Sequence, residues 1–134
     1  MDLYLTRRLN AGFEETLEKL RLALLSHGFR LQSEVAVNAG QRGPLELPYR
    51  ILAVSNPQLE FPGSLGPQQA PCLPMHIVVQ RDRDGSVELS AMDPVKVMLA
   101  ALGDTHREEA LQTRMRMQKL LDSMVASAVP VQAA

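Results

Sequence analysis

The fold is decided by residues 75–92, whose sequence is MHIVVQRDRDGSVELSAM. Two apolar runs, Met75 to Arg81 and Val87 to Met92, flank a polar segment that contains Gly85. Short runs rich in β-branched residues on either side of a glycine-containing turn are typical of a β-hairpin. The segment therefore predicts two antiparallel strands, and the length of the turn decides how they pair.

The register of this hairpin follows from burial. A two-residue turn would place Ile77 on the same side as the polar residues of the partner strand. A three-residue loop, with Gly85 in the left-handed conformation, pairs Ile77 with Ala91 instead. The same register pairs Val79 with Leu89. Because it gathers the apolar side chains on one face, we predict the three-residue loop.

The chain before the hairpin predicts a strand, a helix and two further strands. Residues 3–8 alternate weakly and predict a first strand with Leu3 and Leu5 inward. Residues 29–37 alternate clearly and predict a second strand with one buried face. Between them an apolar stripe at helical spacing predicts a helix that ends at Gly28, and its members are Phe13, Leu17, Leu20 and Leu24.

Residues 49–55 predict a third strand that is apolar on both faces, because Ile51 to Val54 form a continuous run. Such a run is typical of a central strand covered on two sides. Two segments rich in Pro and Gly, residues 38–48 and 57–74, predict loops. The second is long enough to act as a lid over a site.

The chain after the hairpin predicts two helices. Pro94 opens a short one, residues 94–102. Thr105 and Glu108 form a capping box for the last helix, whose apolar stripe is Ala110, Thr113, Met117, Leu121 and Met124. The order strand, helix, four strands, helix predicts an α+β domain over residues 1–129, with helices on one face of an antiparallel sheet. Residues 130–134 are predicted to be a short tail.

Composition excludes several classes of function. The 134 residues carry a formal charge of −1 and only 4% aromatic residues, so neither a nucleic acid nor a membrane is an expected partner. The single cysteine excludes an internal disulfide framework. No apolar run approaches the length of a transmembrane helix, and the N-terminus lacks the basic start of a signal peptide. A cytoplasmic protein is the resulting expectation.

The chain contains, in this order, the short motifs Phe13-Glu14-Glu15, His27-Gly28-Phe29, Pro48-Tyr49-Arg50-Ile51-Leu52, Asn56-Pro57, Leu73-Pro74 and Ala91-Met92-Asp93-Pro94. In order and spacing, these motifs resemble the bacterial and archaeal family known as domain of unknown function 302. The resemblance implies the topology of the TATA-binding protein, often as a homodimer, and brings no activity with it. Where relatives commonly have Cys after a Leu-Pro step, this chain has Met75, and its only cysteine is Cys72.

No residue is predicted to be catalytic. A nucleophilic Cys72 would need a nearby base, and His76, four extended residues away, lies about 13 Å along a straight strand. A thiol-dependent enzyme or redox protein that uses Cys72 therefore stays a second alternative. The favoured hypothesis is a non-enzymatic binding or interaction module.

His76 is the residue of greatest interest, because the predicted register turns it away from the helices, opposite Met92 and beside Val78. If the third strand adjoins the fourth, Leu52 and Val54 are expected on the same side. An apolar patch on a sheet face without helices is typical of an interaction surface. We therefore predict a homodimer built on this face.

The alternative hypothesis is a cofactor such as haem, with His76 as the iron ligand and an apolar pocket around the ring. Met92 is then the nearest second ligand, and Val78, Leu52 and Val54 are the predicted lining. Ser90 or Asp93 would hold the second nitrogen of the imidazole.

Overall fold

The computed structural model describes residues 3–37, 48–56 and 75–128. It confirms the predicted α+β class. The chain order is β1 (Tyr4–Leu9), α1 (Phe13–Ser26), β2 (Arg30–Val37), β3 (Tyr49–Ser55), β4 (Met75–Arg81), β5 (Val87–Met92), α2 (Pro94–Leu102), a 3-10 turn (Gly103–His106) and α3 (Arg107–Ala126). Residues 38–47, residues 57–74 with Cys72, and the predicted tail lie outside the described residues.

The five strands form one antiparallel sheet in the order β1-β5-β4-β3-β2, so β4 is the central strand. The predicted hairpin register is confirmed, because Ile77 pairs with Ala91 and Val79 pairs with Leu89. Gly85 has a φ angle of 90°, the left-handed conformation that the three-residue loop requires.

The core lies between one face of the sheet and helices α1 and α3. Every member of the predicted stripe on α1 is buried, and so is every member of the stripe on α3. They pack against buried residues of the three central strands: Leu52, Val54, Met75, Ile77, Val79, Val87, Leu89 and Ala91. The 3.6-residue period of the sequence therefore identified both core helices.

The end of α1 is a glycine turn of the predicted kind. Gly28 has a φ angle of 81°, and the amide of Phe29 donates to the carbonyl of Leu24 at 2.8 Å. This bond from the residue after the glycine back across the last turn is characteristic of a Schellman motif. It brings Phe29 into the core, where its side chain is 2% exposed.

The predicted capping box on α3 is wrong. The helix begins at Arg107, His106 occupies the N-cap position, and no side chain caps it. The segment Gly103–His106 instead forms a 3-10 turn, and Thr105 is part of this turn. The short helix α2 begins at Pro94, as predicted, and the carboxylate of Asp93 caps it by accepting a hydrogen bond from the amide of Val95 at 3.0 Å.

The two edge strands differ from prediction. The alternation in β2 does not bury its apolar residues, since Val35 is 54% exposed. A β-bulge between Leu31 and Ser33 shifts the register by one residue and turns Glu34 toward the helices. In β1, Leu5 packs against the core, but Leu3, which precedes the strand, is 44% exposed.

Glu34 is held in place by two arginines. Arg21 of α1 donates two hydrogen bonds to its carboxylate, at 2.9 and 2.7 Å, and Arg50 of β3 donates a third at 2.8 Å. The hydrogen bond from Arg21 holds the pKa of Glu34 below its ordinary value, burial opposes the shift, and Arg50 reinforces it. This cluster ties α1 to the β2–β3 edge of the sheet.

We expect Glu34 to make the protein less stable in acid. Its folded-state pKa is lower than the unfolded value near 4.5, so its stabilisation is fully present above that value and is lost as the pH falls through the folded-state pKa. In urea unfolding between pH 7 and pH 3, the free energy of unfolding should therefore fall less steeply with decreasing pH in Glu34→Gln than in the wild type. At pH 7 the variant should be less stable by about 1–2 kcal/mol. Identical pH profiles for the two proteins would contradict this role of Glu34.

Candidate functional site

The sheet face turned away from α1 and α3 is called the open face. In each strand it consists of alternate residues, and the strand registers place those residues side by side. Its members are Tyr4, Thr6 and Arg8 of β1; Glu88, Ser90 and Met92 of β5; His76, Val78 and Gln80 of β4; Tyr49, Ile51 and Ala53 of β3; and Ser33, Val35 and Val37 of β2.

Three of the predicted site residues lie together on the open face. His76 and Val78 are on the central strand, where both are half-buried. Met92 of β5 is the residue across from His76, one position beyond the Ile77–Ala91 pair. Opposed side chains on one face of an antiparallel pair have Cβ atoms about 4.5–5.5 Å apart. The predicted neighbourhood of His76, Val78 and Met92 is therefore present.

The predicted position of Leu52 and Val54 is wrong. Leu52 pairs with Ile77 and Val54 pairs with Met75, so both point toward the helices. Both side chains are 0% exposed and belong to the core. A continuous apolar run has no period of two, so the sequence did not tell which half of β3 faces which side.

The residues of β3 that do lie beside His76 and Val78 are Ala53 and Ile51, their respective partners in the ladder. Tyr49 and Val35 extend this apolar surface toward the β2 edge, and Tyr4 extends it across β5. Sequence analysis missed these residues. The signal that could have found them is the β3–β4 register, which follows once Leu52 is assigned to the core.

Of the two polar residues predicted to support the His76 imidazole, only Ser90 lies on the same face of the sheet as His76. Asp93 is 2% exposed and faces the helices, where its carboxylate caps α2 and lies 3.4 Å from Nε of Arg114. It is therefore engaged elsewhere. Ser90 is on the open face, and its hydroxyl donates to Oε1 of Glu88 at 3.4 Å.

The formal charges of the open face lie at one corner. Arg8 and Glu88 pair across β1 and β5 at 3.1 Å. Arg8 also makes an ion pair with Asp82 and a hydrogen bond of 3.0 Å to the hydroxyl of Ser86. The two formally charged members of the open face are thus paired with each other, and no other member of the face is an Asp, Glu, Lys or Arg.

No group of three or more His, Cys, Asp or Glu side chains that could hold a metal ion is found in residues 3–37, 48–56 and 75–128. A search of the same residues finds no helix with the length and apolarity needed to cross a membrane.

Comparison with known proteins agrees with the fold described above. The family model for a domain of unknown function, DUF302, matches residues 5–124, and the chain therefore belongs to this family. It is similar to the crystal structure of an uncharacterized conserved DUF302 protein from Bacillus stearothermophilus, with a TM-score of 0.73 and 23% sequence identity over 91% of this chain and 98% of that one. No curated protein matches the chain.

Proposed function

We propose that the protein is a non-enzymatic binding module that forms a homodimer through the open face. The observation that carries this proposal is the neutral, apolar middle of a sheet face against which none of the described helices packs. Ile51, Val78 and Met92 lie there beside His76, and an apolar patch in the middle of an accessible surface is typical of an interaction site.

The size of the open face suits a second copy of the chain. Five strands spaced about 4.8 Å apart, each six to eight residues long, span roughly 20 Å in each direction. Protruding side chains raise the accessible area above this footprint. Two such footprints together cover about 800 Å². The relief of the side chains brings the buried area toward 1,200 Å², roughly the lower end of the range for specific protein interfaces.

The charge pattern also favours a second copy over a charged partner. Because Arg8 and Glu88, the two charged members of the open face, are paired with each other, a strongly charged protein would find no unbalanced counter-charge on this face. A second copy presents the same neutral surface, and a two-fold axis makes one patch serve both partners. The proposal therefore names the same chain as the partner.

Sedimentation velocity at protein concentrations from 1 to about 100 µM tests this proposal. We expect a species of twice the chain mass of 14.8 kDa that gains population as the concentration rises. A species of 14.8 kDa across the whole range would refute the homodimer.

Haem binding is the second candidate function, and the observation that favours it is the grouping of His76, Met92 and Val78 on an accessible apolar face. It needs a different lining from the predicted one, since Leu52 and Val54 lie in the core. In a dimer, each copy would present one His76 toward the same ligand, which matches the single histidine per side that haem iron accepts.

Titration with hemin tests this second function. The haem hypothesis predicts a Soret band that saturates near one haem per two chains and is lost in His76→Ala. His27→Ala is the matched control, because it removes a histidine at the end of α1 and leaves the open face unchanged. A weak response without saturation, identical in all three proteins, would eliminate haem as a ligand.

A further inference from the structure

A cavity of about 440 Å³ lies on the helix side of the sheet, beside the first turn of α1. Its walls come from that turn, from the end of β2, from the beginning of β3 and from the end of β4. The cavity is large enough for a small organic ligand. Arg50 and Arg81, which line it, belong to the helix side of the sheet. The cavity also reaches the margin of the open face, because Val37 and Tyr49 line it as well.

Arg81 is the first notable residue of this cavity. It pairs with Val87, whose side chain is fully buried against the helices, and so it lies on the helix side of β4. The guanidinium group of Arg81 makes no hydrogen bond or ion pair with any residue that the structure describes. Five N–H donors are therefore available at one edge of the cavity.

Arg50 supplies a second cation whose orientation is fixed. Its Nη1 donates to Glu34 at 2.8 Å, and Glu34 is held in turn by Arg21. Its Nη2 has a more distant neighbour, since Oε1 of Glu14 is 3.8 Å away. An arginine held by a second group loses little conformational entropy when it binds a ligand.

The remaining walls decide the kind of ligand. Phe13, Ala36 and Pro48 supply apolar surface, which suits a hydrocarbon group. Glu14 and Glu15 place carboxylates on the α1 wall, and these repel an anion with two charges more strongly than an anion with one. The lining therefore offers two guanidinium groups and apolar surface, while its carboxylates disfavour ligands with more than one negative charge.

We propose that this cavity binds a small monocarboxylate with an apolar body. The carboxylate would accept hydrogen bonds from Arg81 and from Nη2 of Arg50, whose planar groups match its two oxygens. The hydrocarbon part would lie against Phe13 and Ala36. This proposal does not depend on the dimer or on haem.

Isothermal titration at pH 7 with phenylacetate as the probe tests the proposal. Phenylacetamide, which has nearly the same shape without the charge, and inorganic phosphate, which is smaller and more highly charged, are the ligand controls. Arg81→Gln should weaken phenylacetate binding by about tenfold or more, because it removes a charged hydrogen-bond donor. Arg83→Gln should have no effect, since Arg83 lies in the exposed hairpin loop and does not line the cavity.

Saturable binding of phenylacetate that is weakened in Arg81→Gln alone, with amide resonances of Phe13 and Glu14 shifting on titration, would support the proposal. Absence of saturable binding would overturn it. Equal binding of phenylacetamide, or equal affinity of wild type and Arg81→Gln, would show that the guanidinium does not recognise the ligand. Phosphate binding as tight as that of phenylacetate would overturn the assignment to monocarboxylates.

Discussion

If the wild type forms the proposed homodimer, the Val78→Asp variant is expected to stay monomeric at concentrations where the wild type associates. Val78 lies near the middle of the central strand, and in a single protomer its side chain is half-buried. A carboxylate there remains hydrated in the monomer but would be buried without a partner in the dimer. We expect the dissociation constant to rise by about a hundredfold or more, as measured by sedimentation velocity.

Leu22→Asp is the matched control for this variant. Leu22 is 70% exposed on α1, on the far side of the molecule from the open face, and the same new charge should leave dimerisation unchanged. Circular dichroism spectra of both variants should match that of the wild type. Dissociation caused equally by both substitutions, or by Leu22→Asp alone, would place the interface elsewhere.

The largest loss of stability is expected for Leu20→Ala. Leu20 is 0% exposed and belongs to the core between α1 and the sheet. Removal of its isobutyl group leaves a cavity in a packed core, which costs about 2–5 kcal/mol. Such a loss is a large part of the roughly 5–15 kcal/mol that stabilises an ordinary domain. Urea unfolding at one fixed protomer concentration measures it.

Leu22→Ala provides the comparison, because it deletes the same atoms two residues away on an exposed face of the same helix. It should change the free energy of unfolding by no more than about 0.5 kcal/mol. Similar losses in the two variants would show that the α1 stripe does not form the core.

The features that could be predicted from the sequence are those with a local cause. The stripes on α1 and α3 recur at helical spacing, so any segment that forms a helix with this pattern buries one face. The β4–β5 register was predictable because three loop residues link the strands and only one register separates apolar from polar side chains. Gly85 and Gly28 indicated turns because glycine adopts a positive φ angle more readily than other residues do.

The features that could not be predicted depend on pairing between distant segments. The bulge between Leu31 and Ser33 adds one residue to β2 and so reverses which side chains after it face the helices. Val35, which the alternation of β2 indicated as buried, is therefore exposed. The faces of β3 were undetermined because Ile51 to Val54 are all apolar. Only the pairing of Leu52 with Ile77 decides them.

The candidate site shows the same division. His76, Val78 and Met92 were correctly grouped because they belong to one hairpin, whereas Leu52 and Val54 were misplaced because they depend on a different strand pair. The cavity with Arg50 and Arg81 had no sequence signal at all. Its two arginines are 31 positions apart and meet only because β3 lies next to β4.

Isotope-filtered NOE spectroscopy on a mixture of ¹³C-labelled and unlabelled protein tests the homodimer most directly, because it detects only contacts between two copies. Association through the open face predicts intermolecular NOEs from the methyl groups of Ile51, Val78 and Met92. Intermolecular NOEs confined to the exposed helix residues Leu22 and Leu25, with none from the open face, would contradict it.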